Sequence, residues 1–179
     1  MSIIDTELLM KAMSFYQGIG YTPIPAPMLV DKDIVELTIP KGNKAREHLG
    51  KYYVGSAEQS FYQIIKDGMK PDGSYMMITP CERDEVEDEL HLGIFLKVEL
   101  ISTVKSKEDI LRDASDFLYH SYIGHNIVKT ENGFDLEVNG IEVGSYGAIK
   151  YSGYDITFGT GIALPRLTKA TGYTYNIKG

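Results

Sequence analysis

Apolar residues recur at helical spacing in several stretches of the chain. In the first, Leu8, Leu9, Ala12, Met13 and Phe15 form a stripe that Asp5 can cap and that Gly18 and Gly20 stop. The next stretch, YTPIPAPMLV, holds three prolines and is predicted to be extended. GSAEQSFYQIIKDG places Phe61, Ile64 and Ile65 on one face, with Gly68 as the C-cap of a short helix. Two apolar runs follow, Ser74 to Arg83 and GIFLKVELISTV, separated by the acidic stretch DEVEDELH, so an antiparallel hairpin with a working loop is expected. Ser106 and Asp109 read as a capping box for a helix to Tyr122, whose buried stripe is Ile110, Leu111, Ala114, Phe117 and Leu118.

Between His125 and Phe158 the pattern predicts three or four strands. Their turns fall at Glu131-Asn132-Gly133, Asn139-Gly140 and Ser152-Gly153. The stretch GTGIALPRL is expected to open a last helix, from about Gly161 to Ala170, with a start at about Leu164 if Pro165 is to lie in its first turn. This order of elements predicts an α+β fold with a mixed, largely antiparallel sheet flanked by helices. With no internal repeat and no linker-like segment, residues 1–179 are expected to form one domain.

Composition narrows the function classes. Twenty-five acidic residues against 18 basic ones give a net charge of −7, which opposes an extended nucleic-acid-binding surface. The lone Cys81 excludes an internal disulfide framework and a cysteine-rich metal site. No apolar run is long enough for a membrane span, and the N-terminus lacks the pattern of a secretory leader. A cytoplasmic protein is therefore expected. His48, His120 and His125 are not at metal-ligand spacing, and the acidic stretch 84–89 reads as a solvated loop.

The chemistry concentrates on the hairpin. Arg83 and Glu85 are two apart and share a strand face, as do Phe95, Lys97 and Glu99 on the partner strand. If the two faces coincide, cations, carboxylates and an aromatic ring gather on one surface. That surface is either a solvated sheet face laced with ion pairs, or a site for a planar anionic ligand.

Three pieces, in this order, resemble the three motifs of the class II aminoacyl-tRNA synthetase catalytic fold. PAPML around Pro27 resembles the first, CERDE with His91, Phe95 and Glu99 the second, and GTGIALPRL the third. FDLEVNGIEVGS and GSAEQSFYQ resemble the strand pair before the third motif and the amino-acid-binding segment of the aspartate, asparagine and lysine enzymes. LHLGIFLKVEL, EVGSYGAI and TFGTGIALPRL are similar to ammonia-dependent asparagine synthetase, which has the same fold without a tRNA domain.

The resemblance implies ATP and Mg²⁺ as cofactors and assigns roles. Arg83 would hold the α-phosphate and the substrate carboxylate, Glu85 would sit near the adenine or the amine, and His91 would reach the terminal phosphates. Phe95 would stack on adenine, with Arg166 over its other face and on the γ-phosphate; Arg83 and Arg166 would be the catalytic pair. Gly161 would let the backbone lie flat against the nucleotide. Glu142 and Asp135 would ligate Mg²⁺. Ser56, Gln59, Lys97, Glu99, Gly144 and Lys150 would line the substrate side. The segment around Pro27 would build a homodimer.

Departures from the asparagine synthetase pattern fall on the substrate side. Gln59 stands for its lysine, Lys97 for a glutamine, and Ile149 for an arginine, with Lys150 beside it. Pro165 precedes Arg166, and Ile94 stands where the synthetases often carry Glu. The expected activity is ATP-dependent activation of an amino acid or similar carboxylate as its adenylate, with ammonia or a small amine as acceptor. A non-catalytic relative that binds nucleotide or amino acid as a sensor is the alternative. A minimal tRNA-charging enzyme fits the acidic composition least.

Overall fold

The computed structural model describes residues 4–39, 44–83 and 93–172. Within them a seven-stranded sheet and a three-stranded sheet carry five helices. Helix α1 is Thr6–Gly18, followed by the two-residue strands β1 (Thr22–Pro23) and β2 (Leu29–Val30). Helix α2 is Lys32–Val35, and β3 (Glu47–His48) and β4 (Lys51–Tyr53) precede helix α3, Ala57–Lys66. The hairpin is β5 (Ser74–Glu82) with β6 (Ile94–Ser102), and helix α4 spans Lys107–His120. Strands β7 (Asn126–Lys129), β8 (Phe134–Val138), β9 (Ile141–Tyr151) and β10 (Tyr154–Leu164) lead into helix α5, Arg166–Ala170.

Local rules account for the helix starts. Asp5 accepts a hydrogen bond from the Leu8 amide at 2.9 Å, Ser56 caps α3, and Ser106 and Asp109 complete a reciprocal capping box at α4. The turns at Asn139-Gly140 and Ser152-Gly153 place both residues at positive φ, which suits the twist of the β8–β9 and β9–β10 hairpins.

The large sheet runs β1-β5-β6-β10-β9-β8-β7 and is antiparallel except for the β1–β5 pair. It separates two cores. One lies under α1, α4 and α5 and includes Tyr16, Leu100, Ile110 and Phe117; the other lies under α2 and α3 and includes Ile34, Phe61, Tyr62 and Met77. The small sheet, β2-β4-β3, flanks the second core.

The last element departs from expectation. β10 continues through Gly161 to Leu164, and the helix begins only at Arg166, after Pro165. The two glycines make room for tyrosines rather than for a helix start. A Cβ on Gly159 would lie 2.1 Å from the Tyr146 ring, and one on Gly161 would lie 2.9 Å from the Tyr16 ring. These close approaches are set by residues more than ten positions away, so the local pattern Gly-x-Gly misleads.

No helix among the described residues is long and apolar enough to cross a membrane.

Candidate functional site

The β5–β6 register pairs Cys81 with Phe95, Thr79 with Lys97 and Met77 with Glu99. Directly paired residues of an antiparallel ladder share a face, so the two faces of the hairpin do coincide. Arg83 continues the line, its amide donating to the Gly93 carbonyl at 2.8 Å. One surface therefore carries Arg83, Phe95, Lys97 and Glu99.

Strand β10 completes the floor through a bulge. Thr160 pairs with Glu99 and Ala163 with Lys97, and the register shifts between Thr160 and Ile162. Residues three apart on a regular strand point to opposite faces; the extra residue, Gly161, restores the phase, and both Thr160 and Ala163 line the same cavity. A second bulge works alike on β9, where Leu136 pairs with Gly144 and Glu137 with Glu142.

The resulting cavity, about 120 Å³, is lined by Arg83, Phe95, Lys97, Glu142, Gly144 and Arg166 together with Val143, Ser145, Thr160, Ala163 and Pro165. Arg83, Lys97 and Arg166 face it with the carboxylate of Glu142, and Lys97 is ion-paired with Glu99 behind it. The Arg83 guanidinium stacks over Phe95, 5.1 Å from the ring centroid, and its Nε donates to the Gly55 carbonyl at 3.0 Å. Arg166 is directed into the cavity, its Nη1 3.8 Å from Glu142 Oε1.

A second polar cluster lies deeper, beneath α3. Lys97 Nζ sits 2.8 Å from Glu99 Oε2, and Ser56 Oγ donates to that same oxygen at 2.7 Å. Glu99 is fully buried, and its Oε1 has no hydrogen-bond partner among the described residues. Nearby, Tyr62 donates its hydroxyl to Glu58. Burial, with the charge of Glu99 adding to it, pushes the Glu58 carboxyl up to about 7, against the lowering effect of Tyr62. Burial also pushes the Cys81 thiol up to about 12, so it is no nucleophile at neutral pH.

Among the expected site residues, Arg83, Phe95, Lys97, Glu142, Gly144 and Arg166 converge on the cavity, and Ser56 and Glu99 join it through Lys97. Glu85 and His91 lie outside the described residues. Asp135 is absent from the cavity lining. Its carboxyl is raised first by burial and then by the charges of Glu142 and Glu137.

Three assignments are corrected. Gly161 faces Tyr16 in the core and supplies the bulge, with its carbonyl accepting from the Tyr16 hydroxyl at 2.8 Å. Lys150 pairs with Asp155 at 2.6 Å on an exposed part of β9, away from the cavity, because the Ile149–Ile156 register carries the strand onward past the site. Gln59 is buried within α3 and bonds to backbone and Thr38 rather than to the cavity. Sequence reading missed Glu58 and Tyr62. Their spacing of four puts them on one helical face, but nothing local announced that this face would be buried against the sheet.

No protein-family model and no curated protein matches the sequence. Solved structures do match the fold. Seryl-tRNA synthetase from Pyrococcus horikoshii, complexed with ATP, superposes with a TM-score of 0.75 at 17% identity, over 93% of this chain and 49% of that one. Pyrrolysyl-tRNA synthetase from Desulfitobacterium hafniense gives 0.71 at 17% identity, over 91% of this chain and 67% of that one. Cytoplasmic serine-tRNA ligase from Naegleria fowleri, in complex with AMP, gives 0.71 at 17% identity, over 92% and 46%. The chain thus has the fold of a class II aminoacyl-tRNA synthetase catalytic domain. It spans about half the length of the seryl enzymes it resembles.

Proposed function

We propose that this protein activates a carboxylate substrate with ATP, forming an acyl-adenylate and releasing pyrophosphate. The observation that carries this reading is the convergence of Arg83, Phe95, Lys97, Glu142 and Arg166 on one cavity of a fold shared with a synthetase complexed with ATP.

In this reading Arg83 holds the α-phosphate and the incoming carboxylate together. Phe95 offers a ring to the adenine, and Arg166 takes the terminal phosphates. A carboxylate oxygen of the substrate forms a bond to the α-phosphorus while the bond to the bridging oxygen of pyrophosphate breaks. The electron pair leaves with pyrophosphate, and no proton moves. The protein's task is to align two anions that repel and to neutralise charge that builds on the phosphate oxygens. No side-chain nucleophile is required.

Mg²⁺ fits the donor chemistry. Glu142 faces the cavity, and Asp135, raised first by burial and then by the charge of Glu142, would be the second carboxylate to hold the ion. No three acidic, histidine or cysteine side chains gather as a ready-made metal cage among the described residues. Mg²⁺ commonly uses one or two carboxylates, with phosphate oxygens and water filling its sphere. When bound, it would neutralise phosphate charge.

An amine then completes the reaction. Its nitrogen attacks the acyl carbon, AMP departs, and the amine loses a proton. Ammonia or a small amine is the acceptor in this reading, supported by the net charge of −7. The substrate is a small-molecule carboxylate, and the working unit is a cytoplasmic homodimer built on the segment around Pro27. Static light scattering tests the dimer.

Pyrophosphate exchange into ATP, with Mg²⁺ and the amino acids in turn, tests the activity. Exchange with one or more carboxylates is expected. Folded protein that exchanges with none sinks the proposal.

A further inference from the structure

Gln59 is 3% exposed, yet its side chain makes three hydrogen bonds. Its Oε1 accepts from the Gly55 amide at 2.8 Å. Its Nε2 donates to Thr38 Oγ1 at 2.8 Å and to the Val35 carbonyl at 3.3 Å. Gly55 is in turn the residue whose carbonyl receives Arg83 Nε at 3.0 Å. The contact is close on the carbon side as well, since a Cβ on Gly55 would lie 3.4 Å from Arg83 Cγ.

We propose that Gln59 is a positioning residue for Arg83: by holding Gly55 it fixes the guanidinium that faces the cavity, and it ties that guanidinium to the Val35–Thr38 segment. The importance of Arg83 for ATP rests on the function proposed above; the positioning itself rests only on geometry.

The chemistry explains why the residue is an amide. The place needs an acceptor for one N–H and donors for a carbonyl and a hydroxyl, all at the tip of one short side chain. An amide has both. Lysine has no acceptor, glutamate at neutral pH no donor, and methionine neither. Removing the amide takes the acceptor from the Gly55 amide and the donor from the Thr38 hydroxyl, while the Val35 carbonyl keeps the Ile39 amide at 3.1 Å, and the turn at Gly55 shifts to find a new partner.

Arginine is sensitive to this. Its guanidinium is planar, so a hydrogen bond at Nε sets the plane of the whole fork. That plane stacks on Phe95, and it decides where the terminal nitrogens meet an anion. A displacement of about 1 Å at such a group can cost about a hundredfold in rate.

The test reads the arginine directly. Water exchange of the Arg83 Nε–H proton is measured by NMR in the wild type, in Gln59→Met and in Thr38→Val. Gln59→Met is expected to speed this exchange by about tenfold or more, and Thr38→Val by less, because it removes only the outer anchor. Binding of Mg–ATP by calorimetry adds a double-mutant cycle. Gln59→Met should raise Kd by about tenfold in the wild-type background but by less than about twofold in Arg83→Lys. Unchanged Nε–H exchange in Gln59→Met, or an equal loss of affinity in both backgrounds, overturns the proposal. If Gln59→Met does not fold, unchanged exchange in Thr38→Val overturns it alone. A wild type that binds no Mg–ATP refutes the functional reading, while the exchange measurement still decides the positioning.

Discussion

Lys97 Nζ and Glu99 Oε2 lie 2.8 Å apart with only 12% and 1% of their side chains exposed. Charges so placed are costly to bring out of water, and each depends on the other. Glu99 is additionally left with one unpartnered oxygen. Lys97→Met strands that carboxylate and is expected to destabilise the fold by about 3–5 kcal/mol. Adding Glu99→Leu to Lys97→Met should recover most of the loss, since an apolar pair of similar volume fits such a site. Chemical denaturation of the three variants checks this; a double variant no better than Lys97→Met would contradict it.

Arg83→Ala and Arg166→Ala remove two of the cations at the cavity. Each is expected to weaken Mg–ATP binding and lower exchange kcat/KM by about a hundredfold, while Tm stays close to wild type. Lys150→Ala serves as the contrast, because it and its partner Asp155 are on the surface and neither lines the cavity. It should change neither by more than about twofold.

Glu58 gives stability a definite pH dependence. Its carboxyl titrates near 7 in the folded chain and near 4.5 when unfolded. Between those values the folded state holds a proton that the unfolded state has released. Raising the pH through this window therefore favours unfolding, by at most about 1.4 kcal/mol per pH unit. Glu58→Gln keeps an acceptor for the Tyr62 hydroxyl but carries no charge. The fall in stability from pH 5 to pH 8 should flatten in this variant, as measured by urea midpoints at each pH. Parallel curves for the two proteins would rule the effect out.

Gly159 sits directly across from Tyr146 in the β9–β10 ladder. The missing side chain lets the tyrosine ring lie against the strand and reach the Thr160 carbonyl at 2.7 Å. Gly159→Ala puts a methyl into that ring and should cost about 1–3 kcal/mol. Thermal unfolding reads it. The paired variant Gly159→Ala with Tyr146→Leu should lose less than the sum of the two single changes.

Mg²⁺ is expected to raise ATP affinity through Glu142. Glu142→Gln should remove most of the difference between titrations with Mg²⁺ and with chelator. The same variant also releases Arg166 from its 3.8 Å neighbour, so binding of metal-free ATP should be unchanged or somewhat tighter.

Much of the architecture follows from local rules that the chain states openly. Asp5, Ser56 and Ser106 mark helix starts because a side-chain oxygen next to unpaired amides is a local device. Asn139-Gly140 and Ser152-Gly153 mark turns because few residues tolerate positive φ. The β5–β6 hairpin, and with it the shared face of Arg83, Phe95, Lys97 and Glu99, follows from alternation on neighbouring strands. The resemblance to the synthetases then pointed to Glu142 and Arg166, on strands and a helix more than forty residues away.

What only the tertiary structure decided depends on distant partners. Gly159 and Gly161 answer to Tyr146 and Tyr16, so the glycines of GTGIALPRL build a bulged strand instead of a helix start. Gln59 and Glu58 are adjacent in α3, but one props the turn that holds Arg83 and the other accepts the Tyr62 hydroxyl in a buried site. Helical phase could place them on the helix, yet which flank met sheet, loop or cavity was fixed by packing. Alternation also failed at the bulge, where one inserted residue brings Thr160 and Ala163 to the same face. The composition and spacing of this chain determine most of its elements and the charged and aromatic residues of its hairpin; burial and register, which arise between segments far apart in sequence, determine which residues meet at one cavity.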